Sequence, residues 1–431
     1  MATGVYFAFA ARTTLTEHTP WNHFALLAQS WLHGRLDLGG PPPPYAGNND
    51  FASYHGHWYI VFPPFPALLL LPLVAIAGKA TRVQDGQFFI WVAGVGPAVL
   101  FLALEKLRRT RRSPRSTPTN AALSLLFAFG SVYFFSAEQG TVWFAAHIVG
   151  VMLAALYLLF ALDASHPLLA GLAIGLGFMT RSPLLFAVPL FALEAIRVSL
   201  RSPAEMQHEV LHHGVRGELD SRWRRLDKGR LLGRYVLFAI PILVVLGVAF
   251  RLNQLRFGDP FDFGYKYLTV GWHARMQKWG LFSYHYLAKN LGVVLTSLPY
   301  VTHPPAAAPF QVNGHGLALW VTTPLYLWLL WPRRTGFLHW ALWLTVAAVA
   351  VPTLFYQNTG WEQFGYRFSN DYAVFLFALI AIGGCRFRTL FTAAALWSLA
   401  INGFGAATWH RAGFRGYYYT EPSQKVLYQP D

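Results

Sequence analysis

Apolar residues along this chain gather in long runs, and charged residues fall mainly in the short segments between them. The runs are about twenty residues long, which is the length of α-helix that crosses about 30 Å of hydrocarbon. They are too unbroken for the one-sided apolar pattern of helices in a soluble protein. The pattern predicts an all-α polytopic membrane protein, with main candidate spans at residues 87–105, 121–136, 143–162, 235–251, 314–331, 337–357, 369–384 and 390–408.

Two further apolar segments, 62–78 and 167–197, are interrupted by Pro, Gly or the sequence TRSP. With them we expect about 9–11 transmembrane helices, with boundaries good to a few residues. The sequence FPPFP at the start of 62–78 breaks helical hydrogen bonding, so this segment is expected to be either re-entrant or a full crossing. Residues 1–11 are too short to span, and we interpret them as the stub of a truncated first transmembrane helix, with an interfacial segment as the alternative.

Composition agrees with this class, since 55% of the residues are hydrophobic and only 12% are charged, whereas about 25% are charged in an ordinary soluble chain. Much of the net charge of +15 lies in 106–120 and 198–234, which the positive-inside rule makes cytoplasmic loops beside anionic lipid. No nucleic-acid partner is expected, because no folded domain is available to present this charge. The only cysteine, Cys385, excludes an internal disulfide and a thiolate zinc site.

The same rule assigns a side of the membrane to the other segments. They are a first extracytoplasmic loop at 12–60, transmembrane helices at 61–251 with the two cytoplasmic loops between them, a second extracytoplasmic loop at 252–313, further transmembrane helices at 314–408, and an extracytoplasmic tail at 409–431.

The first outer loop is predicted to contain an amphipathic helix over 20–34. Thr19 suits the N-cap, Pro20 the first helical position and Gly34 the C-terminal stop. Its apolar residues recur on one helical face, with a tryptophan at each end of the stripe. Such a helix is typical of one that lies along the membrane surface, and a core helix of a soluble lid is the alternative.

The loop that follows carries the best single candidate for a general base, Asp50, close to Tyr54, His55 and His57. A turn or cap carboxylate is the alternative reading of Asp50. His55 and His57 with Asp50 could also ligate a divalent metal, although an H-x-H pair in a loop is weak support for one. No other cofactor is indicated.

A second group of polar residues lies in GWEQFGYRFSNDYAVFLF, residues 360–377, which includes Glu362 as a substrate-loop candidate. Arg367 and Asp371 are four residues apart, so they either pair on one helical face or leave Arg367 to grip a lipid-linked phosphate with its guanidinium fork. Arg181 in FMTRSPLLF is a similar candidate, for which snorkelling to the headgroups is the alternative.

The order of these motifs resembles bacterial polytopic membrane glycosyltransferases of the C-type fold, relatives of the protein mannosyltransferases and the aminoarabinose lipid A transferases. The resemblance rests on the outer helix, DFASYHGHWYIVFPPFPALLLLP, GLGFMTRSPLLFAVPLF and EQFGYRFSNDYAVFLF. It implies a polyprenyl-phosphate-sugar donor, transfer on the extracytoplasmic face, and an acidic base in the first outer loop, often without a metal. Where such enzymes usually open the first outer helix with an acidic pair, this chain has Asn22 and His23, so the base would be Glu17, Asp50 or His23.

The sequence thus predicts a membrane glycosyltransferase of the bacterial plasma (inner) membrane. Its expected partners are a polyprenyl-phosphate-linked sugar, membrane lipid, and an acceptor glycan, lipid or protein. The alternatives are a non-catalytic protein that binds or translocates a lipid-linked sugar, and a structural membrane protein of envelope assembly.

Overall fold

The structure is a computed structural model, which describes residues 1–43, 50–200, 226–303 and 308–419. The predicted loop 198–234 therefore lies largely outside the described residues, as do parts of the first outer loop and of the tail. The described α-helices are α1 Ala2–Phe9, α2 Arg12–Thr16, α3 His23–Leu32, α4 Phe65–Ala77, α5 Asp85–Ala93, α6 Val95–Arg109, α7 Thr117–Phe129, α8 Tyr133–Gln139, α9 Val142–Ala161, α10 Pro167–Phe178, α11 Val188–Val198, α12 Lys228–Phe257, α13 His273–Trp279, α14 Leu287–Thr296, α15 Leu319–Thr322, α16 Phe337–Leu354, α17 Asn370–Ile382 and α18 Thr389–Thr408.

Short strands accompany the helices. Strands β1 Phe51–Tyr54 and β2 His57–Ile60 form an antiparallel hairpin, and β3 Tyr300–Val301, β4 Phe310–Asn313 and β5 Tyr418–Tyr419 form a small mixed sheet.

The helical, polytopic class predicted from the apolar runs is confirmed. Within the described residues, five helical stretches are long and apolar enough to cross a membrane, and the pair α7 and α8, bent by 60°, would make a sixth. This is fewer than the 9–11 predicted, because Pro and Gly divide several apolar runs into shorter helices. Helix α10 has 12 residues and α4 and α17 have 13 each, about two thirds of the length that a crossing needs.

Close helix packing depends on two glycines four residues apart. A Cβ atom on Gly171 of α10 would lie 2.0 Å from the Phe238 carbonyl oxygen of α12, and one on Gly175 would touch Ile242. Small residues at this spacing let two backbones approach closely in a membrane, where packing and not water exclusion holds helices together.

The segments predicted to be extracytoplasmic meet at one end of the molecule, which we name the site end. The Tyr54 hydroxyl donates to the Phe257 carbonyl over 3.1 Å, and the Arg256 guanidinium donates to the Ile60 carbonyl over 2.9 Å. Residue pairing also joins Ala52 to Leu268. The hairpin is thereby attached to the end of α12 and to the loop that follows it.

The predicted cytoplasmic loop 106–120 lies at a second end of the molecule, which we name the basic end, where it contacts the ends of other helices. Lys106 Nζ donates to the Leu162 carbonyl over 2.7 Å, and Arg115 donates to the Cys385 carbonyl over 2.7 Å. The side of the membrane on which each end lies stays a prediction.

Helix α4, within the predicted segment 62–78, is attached at both ends to elements of the site end. The Phe65 amide donates to the Met179 carbonyl, beside Arg181, and the Ala80 amide donates to Gln29 of α3 over 2.6 Å. Helix α4 is about 20 Å long for its 13 residues, which is shorter than a full crossing needs. Whether residues 62–78 are re-entrant or cross fully stays a prediction.

The helix predicted over 20–34 is shorter than expected, since α3 begins at His23 and ends at Leu32. Thr19 does not cap it, because its backbone amide and hydroxyl donate to the Asp85 carboxylate at the start of α5. This tertiary contact holds Thr19 outside the helix, which begins four residues later.

Candidate active site

Asp50 lies at the centre of the site end, immediately before β1. Its φ of 67° falls in the left-handed region, which is uncommon outside glycine but tolerated by Asp. Burial raises the pKa of the carboxyl, the charge of Arg367 and a hydrogen bond from the Trp143 side chain oppose the rise, and the result is about 6. Asp50 is therefore a carboxyl that changes protonation state close to neutral pH.

The hairpin carries the other candidates of this loop away from Asp50. Its tip is a two-residue turn in which His55 and Gly56 have φ values of 49° and 78°, as a tight turn of type I′ requires. His55 is exposed there, and His57 forms an ion pair with Asp37. The described residues contain no group of three His, Cys, Asp or Glu side chains that could hold a metal, so His55, His57 and Asp50 do not form the metal site considered above.

His23, the first residue of α3, lies beside Asp50. Its Nε2 is 3.9 Å from Asp50 Oδ2, and its ring stacks on Phe51 with centroids 4.7 Å apart. The side chain is 1% exposed, and burial lowers its pKa to about 3, so the imidazole is neutral at physiological pH. Neither ring nitrogen hydrogen-bonds to another described residue.

Asn22, which stands where the family resemblance implies an acidic residue and was a candidate to contact the substrate, makes a contact within the protein. Its amide nitrogen bonds to His18 Nε2, and His18 Nδ1 donates to the Val83 carbonyl over 2.7 Å. Because a carbonyl only accepts, His18 Nδ1 carries a proton and the contact with Asn22 is made through Nε2. The position at which the family resemblance implies an acidic pair thus holds an amide engaged in a local contact and a buried imidazole.

Arg367 approaches Asp50 from the segment before α17. Its side chain is buried, with the guanidinium carbon 5.2 Å from the centroid of Phe144 and 5.9 Å from that of Phe368. Nη1 donates to the Trp361 carbonyl over 3.4 Å, and Nε has no hydrogen-bond partner among the described residues. Burial and then the charge of Arg181 lower its pKa to about 9, against the effect of Asp50, so Arg367 is still a cation at neutral pH.

Asp371 pairs with Arg181 and not with Arg367. Arg181 Nε and Nη2 donate to the two carboxylate oxygens over 2.9 and 2.7 Å, and His147 Nδ1 of α9 is 3.6 Å from Oδ1. The pairing considered for Arg367 is wrong because Arg181 occupies the Asp371 carboxylate, and Arg367 lies in the 3-10 turn before α17, which begins only at Asn370. Nη1 of Arg181 donates to no described residue and the side chain is 18% exposed.

Two phenols complete the surroundings of Asp50. Burial raises the pKa of both Tyr265 and Tyr356, and the Asp50 carboxylate adds to the rise in each. Glu362 lies farther out, exposed, with a φ of 49° and its carboxylate 4.0 Å from His410. It still raises the pKa of Arg367, so it contributes negative charge at the edge of the site.

Glu17, the remaining candidate base, is exposed at the C-terminal end of α2. No hydrogen bond or ion pair joins its side chain to the residues described, and its charge does not contribute to the pKa of Asp50 or Arg367. The structure thus brings together Asp50, His23, Arg367 and Arg181, and leaves Glu17, His55 and His57 outside this group.

No family model and no curated protein sequence matches the chain. Among solved structures, it is similar to an oligosaccharyltransferase of Archaeoglobus fulgidus in the apo form, with 12% identity and a TM-score of 0.49 over 94% of this chain and 55% of that one. It is also similar to ArnT from Cupriavidus metallidurans bound to undecaprenyl phosphate, with 12% identity and a TM-score of 0.48 over 93% and 61%.

These structures are membrane glycosyltransferases of the C-type fold. This is the group that the sequence motifs resemble. The chain spans little more than half the length of the structures it matches. At these identities the likeness gives no residue of this chain a role.

Sequence reasoning missed the residues that α9 brings to the site. Trp143 and Phe144 in its first turn contact Asp50 and Arg367 respectively, and His147 one turn later lies against Asp371. A histidine inside an apolar run is a signal that marks functional positions in membrane helices, so His147 could have been found. The two aromatic residues give no such signal in a chain that is 16% aromatic.

Proposed function

We propose that this chain transfers a sugar from a polyprenyl-phosphate donor to an acceptor hydroxyl at the site end. The observation that carries the proposal is that Asp50 and Arg367 each shift the pKa of the other without an ion pair between them. A buried cation and a basic carboxyl that lie near each other without pairing are suited to two different groups of the bound substrates. The cation would bind the donor phosphate, and the carboxyl would accept the proton of the acceptor hydroxyl.

Arg367 is the group for the donor phosphate. Its guanidinium is held by aromatic rings and one carbonyl, which leaves the charge for a ligand. A guanidinium fork matches the geometry of phosphate oxygens. Arg181 adds a second positive charge, because Asp371 engages only its Nε and Nη2. Apolar helices surround both residues, so a prenyl chain could stay in lipid while its phosphate reaches Arg367.

Asp50 is the general base of this proposal. With a pKa of about 6 it is largely ionised at neutral pH, yet it binds a proton more readily than an ordinary aspartate. The acceptor hydroxyl gives its proton to Asp50 while its oxygen forms a bond to the anomeric carbon. The bond between that carbon and the phosphate oxygen breaks, and its electron pair leaves with polyprenyl phosphate at Arg367.

Neither alternative base is as well suited. His23 is neutral, and with a pKa of about 3 it is too weak a base to hold the proton at neutral pH. Glu17 is exposed and does not influence Arg367. We therefore assign proton removal to Asp50 and regard His23 as a neighbour that contacts Asp50 or the acceptor.

We further propose that the reaction takes place in the bacterial plasma membrane, with the site end outside. The basic residues of 106–115 gather at the opposite end, and the positive-inside rule favours the cytoplasm for such segments. An acceptor glycan, lipid or protein would then approach from the extracytoplasmic side, while the donor diffuses in the membrane.

The test is sugar transfer by purified protein in lipid vesicles, with a panel of radiolabelled polyprenyl-phosphate sugars and an envelope extract as acceptor. Label that moves from the prenyl fraction to the acceptor fraction, and does not move with Asp50→Asn, is the expected result. Donor that binds but is never consumed would contradict catalysis and favour the lipid-linked-sugar binder or translocator. No donor binding at all would contradict the proposal in both forms.

A further inference from the structure

Asp50 is also contacted by an aromatic side chain of α9. Trp143 hydrogen-bonds to Asp50, and its ring is 5.3 Å from that of Trp21, at an interplanar angle of 50°. Trp21 is 37% exposed, and Trp143 is partly exposed. Together the two indoles, here named the tryptophan shelf, extend from the carboxylate to the protein surface.

We infer that the tryptophan shelf is an acceptor subsite that takes the ring of a neutral carbohydrate, an inference that rests on the proposed transfer reaction. One face of a sugar ring carries C–H groups that pack on an aromatic surface, while the hydroxyls at its edge stay available for hydrogen bonds. Indoles combine an apolar face with a polar edge in the same way. A ring seated on Trp143 would direct a hydroxyl to Asp50.

His23 adds hydrogen-bonding capacity next to the shelf. Its ring centroid is 6.1 Å from that of Trp143, and both of its nitrogens are buried without a hydrogen bond to a described residue. Burying such groups unbonded costs free energy. A neutral imidazole has one donor and one acceptor nitrogen, which matches a hydroxyl that both accepts and donates.

The surroundings favour a sugar over an extended peptide. Peptides commonly bind by adding a strand to a free sheet edge, but β1, the strand next to Asp50, pairs with β2 on one side and with Leu268 at Ala52 on the other. Trp143 lies near the uncharged rings of Trp21 and His23 and packs against the hydrophobic core on its other sides. An aromatic, uncharged surface of this kind suits a neutral ring.

The test measures acceptor binding directly, by saturation-transfer NMR on the full chain in nanodiscs. The probes are lactose, maltose and N,N′-diacetylchitobiose, with a Ser- and Thr-containing heptapeptide for comparison. We expect saturation of ring C–H protons for at least one disaccharide. Trp143→Leu and Trp21→Ala should each weaken that binding by about threefold to tenfold, the effect of losing one aromatic partner, while Trp143→Phe should retain most of it.

The matched control is Trp340→Leu, because Trp340 is 64% exposed on α16 and outside the site. It should leave disaccharide binding unchanged. The inference is overturned if no disaccharide binds, if only the peptide binds, or if binding persists in both Trp21→Ala and Trp143→Leu.

The transfer assay separates this inference from the proposed function. If sugar is transferred but the shelf variants leave the acceptor KM unchanged, the subsite is wrong and the reaction stands. If disaccharides bind through the shelf but no donor is ever consumed, the reaction is wrong and the carbohydrate site stands.

Discussion

Two arginine clusters, one at each end of the molecule, differ in how their charges are satisfied. At the basic end, Arg112 and Arg197 share Glu194 and Asp163: Arg112 Nη2 donates to Glu194 over 2.7 Å, and Arg197 Nε donates to it over 3.1 Å. Glu194 is fully buried and also accepts from the Asp163 amide over 2.8 Å. These four side chains pair with one another.

At the site end, two arginines again lie near two carboxylates, but only Arg181 and Asp371 pair. The Arg367 guanidinium packs against the ring of Phe144, and its charge lowers the pKa of Asp50 although the two side chains form no ion pair. The same numbers of charges therefore give a self-satisfied network at one end and an incompletely paired group at the other. The comparison indicates that pairing, and not the presence of arginine, distinguishes a ligand site from a structural one.

Removing the Asp50 carboxylate should have the largest effect on the site end. Asp50→Asn keeps the size of the side chain but cannot accept a proton, and we expect sugar transfer to fall by about 10² to 10⁴, the usual contribution of a general base. Donor binding, measured with the same preparation, should be nearly unchanged. Near-normal turnover in this variant would remove Asp50 from the mechanism.

Removing the Glu194 carboxylate should destabilise the fold at the basic end without affecting donor binding. Glu194→Gln would leave two arginines facing one carboxylate, which costs about 3–5 kcal/mol for a buried ion pair that loses a partner. We expect a large fall in thermal unfolding temperature, with donor affinity preserved in the protein that is still folded. Arg230→Gln is the control, since its pair with Asp227 is exposed and should be worth less than about 1 kcal/mol.

Changing Arg367 should weaken the affinity for the donor more than it lowers the free energy of unfolding. Arg367→Gln removes a charged hydrogen-bond donor to phosphate, worth about 1.5–3 kcal/mol, or roughly tenfold to a hundredfold in Kd. Arg367→Lys should recover part of the loss as a point charge without the fork. Arg112→Gln is the matched variant at the basic end, and an equal loss of donor affinity there would contradict the distinction between the two clusters.

The pH dependence should be the mildest effect. A base with a pKa of about 6 in the free protein is ionised above that pH, so kcat/KM for transfer should be flat from about pH 7 upward and fall about tenfold per pH unit below 6. The protonated carboxyl cannot accept the hydroxyl proton, which sets the sign. A profile that instead stays flat well below pH 6 would contradict Asp50 as the base.

The class of protein and the four residues of the candidate group, Asp50, His23, Arg367 and Arg181, were predictable from the sequence, for physical reasons. The thickness of the hydrocarbon layer sets the length of the apolar runs, so the membrane spans can be recognised in the sequence. Asp50 was found because it lies in a loop rich in polar and aromatic residues, and Arg181 because an arginine between apolar runs is costly. The partner of Arg181 was not found, since Asp371 is 190 residues away along the chain.

The remaining errors have tertiary causes. The start of α3 was placed too early because Thr19 bonds to Asp85 of a distant helix. The hairpin turn at His55 and Gly56 directs His55 and His57 away from Asp50, although the sequence places all three within one short loop. Trp143 was missed because a contact with Asp50 across the fold leaves no trace in its own neighbourhood.

The most direct test is to map where the lipid donor binds. A polyprenyl phosphate with a photoreactive group beside the phosphate would be crosslinked to the full chain in vesicles, and the labelled peptides identified by mass spectrometry. We predict labelling at the site end, around Trp143 and Phe144 and around Arg367 and Phe368. Unlabelled polyprenyl phosphate should suppress this labelling. Competable labelling confined to the basic end, around Arg112 and Arg197, would contradict the central claim.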